Sequence, residues 1–183
     1  MGQVGKSPTR SVLAAVLVAG TALAAPGVAS ASSATTPPSQ TQIQTALRHA
    51  KTSPGLWATV NVCNTKQHPG VIGIRAQMPA LGFASTLRMR FAVDYFSAQN
   101  KSYKPVPGAI RQVGIGVQKT GLHQEGVMFS FPRHTGELRG TVRFQWASSQ
   151  RVLGQAEEIT THGHPGADFG DPTHYSAKQC TIN

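Results

Sequence analysis

Large apolar residues occupy the odd positions of Leu87-Arg88-Met89-Arg90-Phe91-Ala92-Val93-Asp94-Tyr95, and Arg88, Arg90, Ala92 and Asp94 fill the even ones. Successive side chains of a strand point to opposite faces, so this period of two predicts a strand with Leu87, Met89, Phe91, Val93 and Tyr95 in the core. Residues 138–146 repeat the design. Leu138, Val142, Phe144 and Trp146 lie on one side, and Arg139, Thr141, Arg143 and Gln145 on the other. Two such strands, each with one wet face, predict an antiparallel sheet.

Shorter runs of strand-forming residues surround them. Residues 57–63 are rich in residues that favour strands, and His68-Pro69-Gly70 turns the chain into a second strand at 71–77 that Pro79 stops. The turn Asn100-Lys101-Ser102, also a glycosylation sequon, leads to residues 104–119. There Pro105, Pro107 and Gly108 make the start irregular, and Val113, Ile115 and Val117 alternate with Gly114 and Gly116, which predicts an edge strand with a bulge. A fifth strand is expected at 126–131, ended by Pro132. Residues 148–150 are a hairpin loop, and 151–162 return as the antiparallel partner of 138–147. After a loop at 163–174, a last short strand within 175–182 is expected beside the first. Seven or eight strands with turn signals between them predict an all-β, antiparallel immunoglobulin-like sandwich, with a closed β-barrel as the alternative.

Length and composition leave room for one such domain: 183 residues, 39% hydrophobic and 13% charged. The first residues read differently. Lys6 and Arg10 precede an uncharged apolar run from Val12 to Ala25, and small residues follow, so residues 1–31 are expected to be a secretory signal peptide cleaved after Ala31 or Ala24. The run is shorter than the ~20 residues that span a bilayer, so no transmembrane span is expected in the mature chain, and a secreted product is. Residues 32–55, rich in Ser, Thr, Pro and Ala, read as a disordered linker with at most a weakly ordered helix at 42–51. The sandwich is then expected at 56–183.

Removing Lys6 and Arg10 takes the formal charge from +10 to +8. With a sequence pI of about 10.3, the chain favours anionic partners, among them an anionic cell-envelope polymer. Cys63 and Cys180 are the only cysteines, and outside the cytoplasm an even count points to one disulfide between them.

Two groups of residues carry possible chemistry. The outward residues of the two guiding strands, Arg88, Arg90, Arg139 and Arg143, share an exposed face if the strands are neighbours, and guanidinium groups bind phosphate or carboxylate. Against that, Glu157 and Glu158 on the following strand can neutralise the face. Aromatic residues are too few on outward positions for a base-stacking platform, so no specific nucleic acid is expected. The second group is His162 and His164 with Asp168, Asp171 and His174, a nitrogen and carboxylate set that suits zinc or copper. Three glycines and two prolines in that loop favour the plainer reading of solvated histidines. No Gly-x-Ser-x-Gly elbow, His-Glu-x-x-His helix or Walker loop is present, and Gly114-Ile115-Gly116 lacks the third glycine of a dinucleotide site. Trp57, Trp146, Phe91 and Phe144 read as core.

The run 57–63, His68-Pro69-Gly70 with Ile72-Gly73-Ile74-Arg75 and Met78-Pro79, the strand 89–95, residues 142–146, and Tyr175-Ser176-Ala177 with Cys180 together resemble a group of exported actinobacterial proteins. The likeness covers residues 56–182 and brings no activity, ligand or functional residue with it. It implies a secreted, disulfide-linked immunoglobulin-like sandwich, and the His-rich loop is not part of it. The expected function is therefore that of a non-enzymatic binding or surface-associated module without a cofactor. The alternative is a metal-binding protein or metal-dependent hydrolase built on His162, His164 and His174.

Overall fold

A computed structural model describes residues 37–149 and 151–183. The predicted signal peptide and residues 32–36 of the predicted linker lie outside the described residues. Among the described residues, eight strands follow one helix: α1 (Gln40–Lys51), β1 (Trp57–Cys63), β2 (Val71–Pro79), β3 (Ser85–Ser97), β4 (Ser102–Gln118), β5 (Leu122–Ser130), β6 (Gly136–Ser148), β7 (Arg151–Ile159) and β8 (Cys180–Ile182). One sheet runs β1-β2-β5; the other runs β4-β3-β6-β7, with β8 continuing the β7 side of β6. All these pairings are antiparallel. Neither sheet closes on itself, so the expected sandwich is what forms and the barrel is not. The chain changes sheet between β2 and β3, between β4 and β5, and between β5 and β6, which is the Greek-key connectivity of an immunoglobulin-like domain.

The interior is built by the parity of the two guiding strands. Leu87, Met89, Phe91 and Val93 of β3 and Leu138, Val142, Phe144 and Trp146 of β6 are completely buried, and face Val60, Ile72, Ile74, Ala76 and Met78 of the smaller sheet. Burying each of the larger side chains contributes about 1.5–3 kcal/mol. Gly140 interrupts the apolar series because a Cβ there would stand 2.7 Å from Ile74 Cδ1, which fills the space from the opposite sheet. Trp146 keeps its indole satisfied by donating from Nε1 to Pro79 O at 2.8 Å.

Three expectations are corrected. The predicted disordered linker contains α1, which enters the same core. Ser39 and Gln42 form a capping box, Ser39 N donating to Gln42 Oε1 at 2.8 Å and Gln42 N to Ser39 Oγ at 3.3 Å, and Arg48, His49 and Lys51 suit the negative end of the helix dipole. Ile43, Leu47 and Ala50 are buried, with Leu47 seated directly on Gly154 of β7, where a Cβ would meet it at 2.5 Å. Tyr95, expected inside, is 39% exposed: it keeps the inward parity opposite Leu138 but lies near the end of β3, beyond the shift in its register to β4 between Ala92 and Asp94. The last strand, expected beside the first, pairs instead with β6; upstream of it, Ala177 bridges to Val60 of β1 and Asp171 to Val62.

The bulge expected in the edge strand is present in β4. Leu87 pairs with Gly116 and Arg88 with Gly114, leaving Ile115 extra. Parity inverts across it, so Val113 and Ile115 pack on the core while Val117 is 66% exposed. The disulfide joins Cys63 at the end of β1 to Cys180 in β8, and so ties the two sheets together across 117 positions of sequence.

Candidate functional site

The outer face of the larger sheet carries the predicted arginines. β3 and β6 are direct neighbours, with Arg88 opposite Gln145, Arg90 opposite Arg143 and Asp94 opposite Arg139. All four guanidinium groups therefore share one face, but their surroundings divide them. Arg143 turns to β7 and donates from Nε and Nη2 to Glu157 Oε2 at 3.1 and 2.9 Å. Arg139 meets Asp94 Oδ2 at 3.3 Å and lies over the Tyr103 ring at 4.1 Å. Tyr103 donates its hydroxyl to Glu137; its own burial, then that bond and the glutamate's charge, push its pKa up to about 12. Glu158 pairs with Val142 on the other parity, and burial raises its pKa.

Arg88 and Arg90 make no ion pair among the described residues, Arg88 donating only from Nη1 to Gln145 Oε1 at 3.4 Å. Two positions apart on one strand, they stand about 7 Å from each other along β3. Like charges placed opposite one another repel. The Arg143–Glu157 pair relieves that repulsion at Arg90, whose positive charge faces solvent without a counter-charge of its own.

The outer face of the smaller sheet is covered over β1 and β2 and left open along β5, where Met128 is exposed. Residues 160–178 cross it as a strap, held at one end by Thr161 N donating to Ala58 O at 2.9 Å and at the other by the exchange between Val60 and Ala177 at 2.9 and 3.0 Å. Thr59 Oγ1 lies beneath it, 2.7 Å from Thr161 O and 2.8 Å from Ser176 Oγ. Asn61 donates from Nδ2 to Asp168 O at 2.9 Å.

The predicted metal ligands are spent singly along this strap. His164 stacks on Trp57, ring centroids 4.6 Å apart and planes 12° from parallel, with Nε2 3.0 Å from Thr161 Oγ1. Burial, and then the neighbouring His162, push its pKa down. His174 donates from Nδ1 to Pro165 O at 2.9 Å, Asp171 accepts from the Thr65 hydroxyl, and His162 is exposed. No three His, Cys, Asp or Glu side chains among the described residues are grouped so as to hold a metal ion. His162, His164, His174, Asp168 and Asp171 therefore do not converge: His164 and Asp171 meet Trp57 and Thr65, His174 meets the strap's own Pro165, and His162 is exposed.

One site was not foreseen. Arg75 in the middle of β2 is only 8% exposed, yet it lies on the outward parity with Thr59 and opposite Gly126 of β5. Its Nε donates to Asp168 O at 3.1 Å, and its guanidinium lies 4.7 Å from the centroid of the Phe169 ring. Burial lowers its pKa, and the nearby charges of Asp168 and Glu125 oppose that change. Asn61, Arg75, Gly126, Met128 and Phe169 line a cleft of about 190 Å³. Phe169 is 81% exposed and has φ +56°, a left-handed conformation that costs a bulky side chain about 1–2 kcal/mol. The signal in the sequence is the one charged residue inside the apolar run Ile72-Gly73-Ile74-Arg75-Ala76.

No protein-family model and no curated protein matches the chain. Among solved structures it is similar to a glycosyl hydrolase family 2 member from Bacteroides cellulosilyticus, at 9% identity and TM-score 0.34, over 60% of this chain and 15% of that one. It is also similar to Spo0M, a sporulation control protein from Bacillus subtilis, at 14% identity and TM-score 0.26, over 56% of this chain and 46% of that one. The chain thus spans less than half the length of either protein, and neither likeness bears on function.

Proposed function

We propose that this chain is an exported, non-enzymatic binding module that engages an anionic cell-envelope polymer through the outer face of the β4-β3-β6-β7 sheet. The observation that carries the reading is the pair Arg88 and Arg90, adjacent on one face of a central strand and without an acidic partner among the described residues. A rigid strand presents them at a fixed spacing, so two phosphates or carboxylates of one polymer chain can be met together with little ordering cost. The excess of basic over acidic residues strengthens the approach of any polyanion and makes it salt-dependent. Export is supported by the basic and apolar first residues and by the disulfide, which persists in oxidising compartments. Among the described residues, no helix is long and apolar enough to cross a membrane.

The test is retention of the purified, disulfide-bonded protein on immobilised poly(glycerol phosphate) across a salt gradient. The double variant Arg88→Ser/Arg90→Ser should elute at clearly lower salt than the parent. Lys101→Ser/Lys104→Ser, which removes the same charge from the β3–β4 hairpin, should elute close to it. Equal losses in the two variants would reduce the interaction to net charge and reject the arginine face.

A further inference from the structure

The cleft over Arg75 lies on the opposite sheet from the arginine face, and what it suggests is independent of that reading. Arg75 is more than nine-tenths buried, and its only hydrogen bond among the described residues is made by Nε. Both terminal nitrogens, Nη1 and Nη2, are left without a protein acceptor. Among the described side-chain polar atoms sealed from solvent, only Ser85 Oγ lacks a partner. The Arg75 nitrogens therefore reach solvent through the cleft. Neither Asp168 nor Glu125 forms an ion pair with Arg75, although both lie close enough to attract its charge.

The walls say what kind of group would complete the site. A planar guanidinium with both terminal amino groups open matches a carboxylate held by two parallel hydrogen bonds. Gly126 leaves the room, since a Cβ there would come within 3.1 Å of Nη1. Phe169 covers one face of the guanidinium, and with Met128, itself 50% exposed, offers an apolar wall beside it. A strained backbone that holds a large ring out in solvent is poorly explained by packing, and well explained if the ring is one side of a binding site. Two acids beside one arginine disfavour a dianion. The volume, below the roughly 300 Å³ at which pockets for drug-sized molecules begin, limits the occupant to a small molecule.

We propose that the cleft between Arg75 and Phe169 binds a small monocarboxylate carrying a planar apolar group, the carboxylate on the Arg75 terminal nitrogens and the apolar group against Phe169 and Met128.

The experiment is an amide NMR titration of the isotopically labelled, disulfide-bonded protein with phenylacetate, with phenylacetamide and inorganic phosphate as comparison probes. Phenylacetate is expected to produce saturable shifts at the Gly126, Asp168 and Phe169 amides, and to bind about tenfold more tightly than phenylacetamide, the neutral probe of the same shape. Phosphate should leave those amides unmoved. Arg75→Gln should abolish the preference for the acid. Should that buried substitution prevent folding, Phe169→Ala at an exposed position keeps the test available, with an expected weakening of phenylacetate binding of about fivefold or more. No saturable shift at these amides, indistinguishable binding of acid and amide, or unchanged affinity in Phe169→Ala would each overturn the proposal.

Discussion

The two outer faces of this sandwich are built from the same kind of alternating strand and end in opposite states. On the larger sheet, outward residues of β3, β6 and β7 meet one another across the strands, and two of the four arginines are paired locally, Arg139 with Asp94 and Arg143 with Glu157. On the smaller sheet, outward residues of β1 and β2 meet a segment more than 80 positions away in sequence, so Thr59, Asn61 and Arg75 are buried beneath it. The lesson is that a polar outward residue can belong to a solvated face or to a second, polar layer. Only the partner decides which.

The largest effect is expected where the two regions are joined. On the chain-entropy account, reducing the Cys63–Cys180 bridge, which closes a separation of 117, should cost about 4–5 kcal/mol in urea unfolding. A loss under about 1 kcal/mol would mean the strap and sheets hold the closed arrangement without it.

Thr59→Val sharpens the contrast at a single position. It keeps the shape and removes the hydroxyl that joins Thr161 and Ser176, which should cost about 1–3 kcal/mol in the same assay. An effect no larger than that of an exposed threonine would show the strap to be only loosely seated.

Acidification should test the strap as well. Because burial and His162 hold the His164 pKa below its ordinary value, the unfolded chain takes up this proton more readily than the folded one. Stability is then full above about pH 6.5 and falls as pH drops through the window beneath it. Thermal unfolding between about pH 7.5 and 5.5 should show a steeper decline in the parent than in His164→Phe, which keeps a ring on Trp57. Glu158, whose pKa burial raises, works in the opposite sense, but it is common to both proteins and drops out of their difference. Identical slopes would remove His164 from the account.

The smallest effect belongs to the open face. A double-mutant cycle on Arg143 and Glu157, whose side chains are 49% and 50% exposed, should give a coupling of about 0.2–1 kcal/mol that shrinks with added salt. A larger, salt-insensitive coupling would contradict the picture of a solvated face.

The same contrast explains what the sequence made legible. β3 and β6 each have one dry and one wet face, so their parity was visible, and the core positions from Leu87 to Val93 and from Leu138 to Trp146 followed from it. β1 is buried on both faces because the strap covers it, and a strand of that kind carries no alternation to read. Helix α1 was underrated for a related reason. Its apolar stripe is only Ile43, Leu47 and Ala50, and the space it fills exists because Gly154, far along the chain, is small. The bulge at Ile115 was anticipated, but its effect on Val117 depends on which residue is left unpaired, a matter of pairing with β3. The arginines were located correctly, while the division between paired and unpaired members needed the register of β7. The alternative metal reading of the histidine cluster finds no shared centre among the described residues, because closeness in sequence within a loop says little about convergence in space. Arg75 went unnoticed because nothing near it in sequence reveals Phe169 or Gly126.

The bridge from β1 to β8 also decides how the body would answer a pull on its two ends. Force applied there passes through Cys63 and Cys180, so everything between them is shielded as one covalent loop, and only α1, β1 and the last few residues can pay out. Under load the body would lengthen by a short first step and then stop.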